Sequence, residues 1–327
     1  MSTPYSHPFY RPKEKFITAN GIQLCYEALG DPKGEPLVMI MGLGTQMTAW
    51  PPELLEPILE EGFRIIRFDN RDIGKSQELE FHQKVPAPIA YLRTKLGLKI
   101  DAPYLLHDMA EDTAALLKSL DIQRAHVLGI SMGGMIAQLL ANHAEIDVLS
   151  LSLLMTSNNH PKLPSPDLNT LWRINGGGIR GHDQESALKR GLAFWDTVKS
   201  PGFATPKDRI LQRIARDYQR SYRPMGVVRQ MRAIMATGSI EDYSKAITAP
   251  TLILHGSVDP LVKPKAAHWL KENIPHANLD MIPGWGHDLP LSLLPRLAHK
   301  ITSHMKASTH NAFGHSNVSG RTKASSG

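Results

Sequence analysis

The chain of 327 residues carries a single cysteine, Cys25, so no intrachain disulfide can form and a cysteine-based metal cluster is excluded. It also lacks any apolar run near the roughly 18–20 residues that span a bilayer, and no transmembrane segment is expected. The opening residues, Met1-Ser2-Thr3-Pro4-Tyr5-Ser6-His7-Pro8, have neither a charged n-region nor an apolar h-region. No secretory signal is read there, and a cytoplasmic protein is expected. The chain is short of acid in two places only: residues 158–247 hold 15 basic and 8 acidic side chains, and residues 296–327 hold 5 and none. The net charge of +6 therefore resides in one stretch and one tail, without a nucleic-acid-binding module, and no nucleic-acid partner is expected.

Hydrophobic residues make up 42% and charged residues 21%, enough for a sizeable core in an ordinary globular chain. Residues 14–29 read as two strands around Asn20-Gly21, followed by the wholly apolar run Leu37-Val38-Met39-Ile40, which suits a strand covered on both faces. Strands at 63–68, 125–128, 148–154, 251–254 and 279–282 alternate with helices at 51–61, 107–119, 135–141, 264–273 and 289–303. This alternation predicts an α/β fold with a mostly parallel, doubly wound sheet. Residues 158–247 break the rhythm with helical runs only, so they are expected to form a helical cap inserted into a core of residues 14–157 and 248–303. Within the cap, Arg209, Arg213, Arg216 and Arg220 recur at helical spacing and predict a solvated face, with contact to an anionic substrate or a lipid surface as the rival reading. Residues 1–13 read as an N-terminal arm and residues 304–327 as a disordered polar tail whose irregular histidines form no metal site.

The chemistry concentrates in Gly129-Ile130-Ser131-Met132-Gly133-Gly134, between an apolar strand and a helix. A turn this tight leaves no room for flanking side chains; glycine lets Ser131 adopt a strained conformation with its hydroxyl exposed. The amides opening the next helix then face whatever that hydroxyl attacks. A serine needs a base to take its proton, and an imidazole base needs an anion on its far nitrogen. Asp259 after the strand 251–254 and His287 after the strand 279–282 supply both, in the order Ser, Asp, His. Pro260 holds Asp259 out of helical geometry. No carboxylate lies within residues 151–160 to compete as the acid. His255 reads as a packed turn residue, His126 as core and Asp288 as a cap for the last helix. Two backbone amides are expected to receive the oxyanion, those of Met132 and of Leu43 in Met41-Gly42-Leu43-Gly44-Thr45. Trp172, Phe194 and Trp195 are candidates for an apolar substrate pocket in the cap.

Gly129-x-Ser131-x-Gly133, Gly42-x-Gly44, Asp259 and His287, taken together, resemble the α/β-hydrolase superfamily over residues 14–303. Residues 69–76 are similar to its D-x-R-G-x-G-x-S turn, with Asp72 where glycine is usual. The usual H-G-x-G is Met41-Gly42-Leu43-Gly44 here, a departure that alters the hydrogen bonding behind the oxyanion loop. Residues 102–138 resemble capped esterases of the aclacinomycin methylesterase type. The resemblance implies a serine hydrolase of carboxylic esters, working through an acyl-enzyme on small to medium apolar substrates, without cofactor or metal. Carbon–carbon bond hydrolysis, thioester cleavage and cofactor-free perhydrolysis use the same triad, and a non-catalytic ligand-binding protein uses the same fold. The oligomeric state is not readable.

Overall fold

The computed structural model describes residues 12–82, 85, 87–96, 98–174 and 178–316. The N-terminal arm up to residue 11 and the tail beyond residue 316 lie outside the described residues. The chain opens with β1 (Lys15–Ala19) and β2 (Ile22–Leu29), joined by the Asn20-Gly21 turn in which both residues have positive φ. It continues through β3 (Glu35–Ile40), α1 (Pro52–Glu60), β4 (Phe63–Phe68), α2 (Ala87–Lys95), α3 (Leu106–Ser119), β5 (Arg124–Ile130), α4 (Met132–Leu140) and β6 (Asp147–Leu154). Among the described residues five helices follow without a strand: α5 (Leu168–Ile174), α6 (Gln184–Val198), α7 (Lys207–Arg220), α8 (Pro224–Thr237) and α9 (Glu241–Ala246). The alternation resumes with β7 (Thr251–Gly256), α10 (Lys265–Asn273), β8 (Asn278–Ile282) and α11 (Leu294–Ser316).

The eight strands form one sheet in the order β1-β2-β4-β3-β5-β6-β7-β8. β1 and β2 pair antiparallel, as do β2 and β4, and every later pairing is parallel. Because side chains alternate along a strand, β3 feeds two cores at once. Val38 and Ile40 join α3, α4 and α10 on one face, while Leu37 and Met39 join α1 and α11 on the other. Burial on both faces explains why β3, β5 and β6 read as continuous apolar runs.

Three expectations need correction. The last helix does not stop near residue 303. Leu294, Leu297, Ala298, Ile301 and Met305 keep one apolar stripe on α11, and Met305 is fully buried against α1, so the helix runs on to Ser316. A lone methionine among polar neighbours hid that last turn of periodicity. The arginines of α7 do not form a uniformly solvated face: Arg216 stays half-exposed while Arg220 is buried. Arg209 pairs with Glu53 at 2.6 Å, Arg216 donates to Thr48 O at 2.8 Å, and Arg220 reaches Asp69 and Glu14 at 2.7 Å each. They tie α7 to α1 and to the loops after β3 and β4. Asp288 does not cap the last helix, which opens with a short 3-10 turn (Leu291–Leu293) after Pro290; its carboxylate accepts from Ser200 Oγ instead.

No helix among the described residues is long and apolar enough to cross a membrane. Cys25 on β2 is buried, with Arg220 Nη2 at 3.7 Å. Burial, with Asp69 nearby, pushes its thiol up to about 12.

Candidate active site

At the carboxyl end of β5 the chain turns so sharply that Ser131 adopts φ 55° and ψ −121°. That strain persists because neighbours over-determine it. A Cβ on Gly129 would lie 2.3 Å from Gly133 O, and one on Gly133 only 2.1 Å from Ile40 O. The Ser131 amide donates to Leu154 O at 2.9 Å, and Thr156 Oγ1 donates to Ser131 O at 2.6 Å. The hydroxyl is left at the mouth of the sheet, where Ser131 is only half-buried.

The loops after β7 and β8 come to the same edge. His287 Nε2 lies 3.1 Å from Ser131 Oγ, and His287 Nδ1 lies 2.7 Å from Asp259 Oδ2. The amides of Leu261 and Val262 donate to Asp259 Oδ1 at 2.8 Å each, so the carboxylate is held by backbone on one oxygen and faces the imidazole with the other. His255 is fully buried and its Nε2 meets Val262 O at 2.8 Å, so it is packed as expected, but on β7 rather than in the turn that follows. Burial holds it below the ordinary imidazole range, despite Asp259 at 3.5 Å. His126 is likewise core, buried beside Ser150 Oγ at 2.7 Å.

Gly42 packs directly on the serine: a Cβ there would meet Ser131 Cβ at 3.2 Å. In the same turn the Gly44 amide donates to Gln230 Oε1 at 2.9 Å and the Thr45 amide to Gly42 O at 3.3 Å. Among the described residues nothing accepts from the Leu43 amide. Met41, standing where histidine is usual, buries its side chain in the α1–α11 core, and its carbonyl accepts from Asn70 Nδ2 at 3.0 Å. The departure thus exchanges a polar support for an apolar one. Met132, buried, opens α4 with its amide at the positive end of the helix.

Asp72 at φ 72° accepts from Tyr104 Oη at 2.6 Å and from the Leu79 amide at 2.7 Å, with Arg229 Nε at 2.9 Å. A carboxylate replaces glycine there because it docks α8. The three cap aromatics are placed differently from one another. Trp195 is buried with Lys199 Nζ 5.1 Å above its ring, Phe194 is half-buried, and Trp172 on α5 is exposed. Among the described residues none of them has a hydrogen bond or ring contact with Ser131, Asp259 or His287.

The geometry is that of a family. Residues 35–292 match the model of the alpha/beta hydrolase fold. The chain belongs to the α/β-hydrolase family. It is 27% identical over 314 residues to rhodomycin D methylesterase DnrP of Streptomyces peucetius and, equally, to rhodomycin D methylesterase DauP of Streptomyces sp. strain C5. Each alignment covers 90% of this chain and 99% of the relative. The resemblance to the methylesterase type is met in these two. Among solved structures, a meta-cleavage product hydrolase from Pseudomonas fluorescens IP01 superposes with a TM-score of 0.67 at 20% identity, over 90% of this chain and 98% of that one, which speaks for the fold alone.

Two supports escaped the sequence. Gln230 is fully buried, holds the Gly44 amide and donates to Arg71 O at 2.9 Å, yet nothing in its helical context marks it. Ser200 joins the histidine loop from 86 residues away and has no motif around it.

Proposed function

We propose that this α/β-hydrolase cleaves carboxylic esters through an acyl-enzyme on Ser131, with His287 as general base and acid and Asp259 orienting the imidazole. The observation that carries the reading is the unbroken line of contacts from Asp259 Oδ2 through His287 to Ser131 Oγ, at 2.7 and 3.1 Å. Ser131 Oγ attacks the acyl carbon while its proton passes to His287 Nε2; Asp259 stabilises the imidazolium that forms. The amides of Met132 and Leu43 receive the negative oxygen. Collapse returns the proton to the departing alcohol, and water then repeats the sequence to free the acid and Ser131.

The alignment with two methylesterases over most of the chain supports the ester, and puts methyl esters first in the series to assay. Residues 158–247, carrying α5–α9, serve as the cap over the site; Trp172, Phe194 and Trp195 remain candidates for its apolar lining.

Ser131→Ala should cost at least about 10,000-fold in kcat on methyl and p-nitrophenyl esters, and should abolish labelling by a fluorophosphonate. An inert Ser131 in the wild type would point to a non-catalytic binder. Turnover of a vinylogous diketone in preference to every ester would move the chemistry to carbon–carbon cleavage.

A further inference from the structure

The loop bearing His287 is gripped from two directions. On the core side, the Val258 amide donates to Trp285 O at 3.2 Å and the Gly284 amide to Ser257 Oγ at 3.0 Å. The other grip comes from the strap that joins α6 to α7. The His287 amide donates to Val198 O at 2.8 Å, the Gly286 amide to Ser200 Oγ at 2.8 Å, the Gly202 amide to Gly284 O at 2.9 Å and the Leu291 amide to Thr205 Oγ1 at 3.2 Å. Backbone packs on backbone with no slack. A Cβ on Gly286 would lie 2.4 Å from Val198 O, and one on Gly202 would lie 2.9 Å from Gly284 Cα.

Ser200 is the centre of this strap. It is 5% exposed, accepts from the amide of the residue before His287 and donates to the carboxylate of the residue after it. Asp288 is in turn fixed by its own carbonyl, which accepts from Trp285 Nε1 at 2.8 Å. Arg213 of α7 and His287 are the charged or titratable groups acting on that carboxylate. One hydroxyl therefore tethers both neighbours of the imidazole without a place in the proton path.

We propose that Ser200 is a positioning residue for His287, so that the seat of the inserted helices on the core sets how far the imidazole stands from Ser131. The proposal rests on the reading of His287 as the general base. Displacing a catalytic group by about 1 Å is enough to cost roughly a hundredfold.

The test is made on the full chain. Ser200→Ala should lower kcat about ten- to hundredfold while KM stays within about twofold. It should also shift the titration of the His287 ring followed by NMR. Ser200→Thr, which keeps the hydroxyl, should restore most of both. A folded Ser200→Ala with wild-type kcat and an unmoved His287 titration overturns the proposal. Should Ser200→Ala fail to fold, Asp288→Ala removes the acceptor that orients the hydroxyl, and an unmoved His287 titration there overturns it equally. The NMR readout needs no turnover. A wild type inert to fluorophosphonate would sink the hydrolase reading by itself, whereas an unmoved titration sinks only this one.

Discussion

Ser131 Oγ and His287 Nε2 sit 3.1 Å apart yet are held by different means. Ser131 is fixed from within its own turn. The strand, Gly129, Gly133 and the first turn of α4 enforce its backbone, with distant help from Ile40, Gly42, Leu154 and Thr156 at and just beyond the ends of β3 and β6. The His287 loop has only part of its support from the sheet. The rest comes from a strap inside the inserted helices, 82 to 89 residues earlier in the chain. The difference teaches where each part can fail. The turn at Ser131 is held because steric exclusion leaves one backbone path, while the His287 loop, on the proposal above, keeps its place only as long as the insertion stays seated.

Breaking the elbow should have the largest effect. Gly133→Ala puts a methyl 2.1 Å from a strand carbonyl, which no rotamer change relieves. We expect a loss of about 3 kcal/mol or more, read by urea unfolding, together with loss of fluorophosphonate labelling. Gln230→Ala strikes instead at the insertion's hold on the oxyanion loop, leaving the Gly44 amide and Arg71 carbonyl without their partner. An expected cost of about 1–3 kcal/mol in unfolding, with kcat falling more than KM rises, would place the oxyanion loop with the base rather than with the nucleophile. An unchanged kcat would break that grouping.

The smallest effect sharpens the comparison by pH. Burial raises the Asp288 carboxyl above its ordinary value of 3.8, in spite of Ser200 and Arg213. A raised carboxyl favours the fold most when protonated, so its contribution is complete below 3.8 and fades as pH climbs through the raised value. Asp288→Asn keeps an acceptor for Ser200 but has no charge to bury. Its Tm relative to wild type should therefore improve as pH rises from about 3.8 toward neutrality. A Tm difference that is flat with pH would mean that the strap does not desolvate this carboxylate.

What could be read from the amino-acid sequence follows the same division. Gly129, Ser131 and Gly133 announced themselves because a steric requirement within five residues leaves a compositional mark. Asp259 and His287 were legible because each follows a strand whose apolar run is unmistakable. The helices of 158–247 were legible as helices, but not the direction their charged side chains would face. Arg220 looked like a solvated residue until Asp69 and Glu14 were seen around it. Ser200, Gln230 and the true partner of Asp288 were illegible for one reason: each is defined by a residue at least 86 positions away, and pairings of that kind leave no local pattern. The turn of α11 around Met305 escaped because one apolar residue is too few to show a period.

Cys25 is buried, and burial pushes its thiol up to about 12 against the pull of the nearby Arg220 guanidinium, so the native molecule is expected to react poorly with an alkylating dye. A cysteine introduced on the outer surface of α6 or of the α11 helix would then take up a fluorophore alone, without first deleting a residue from the sheet. Any opening between the inserted helices and the histidine loop thus becomes visible by spectroscopy on an otherwise unaltered background.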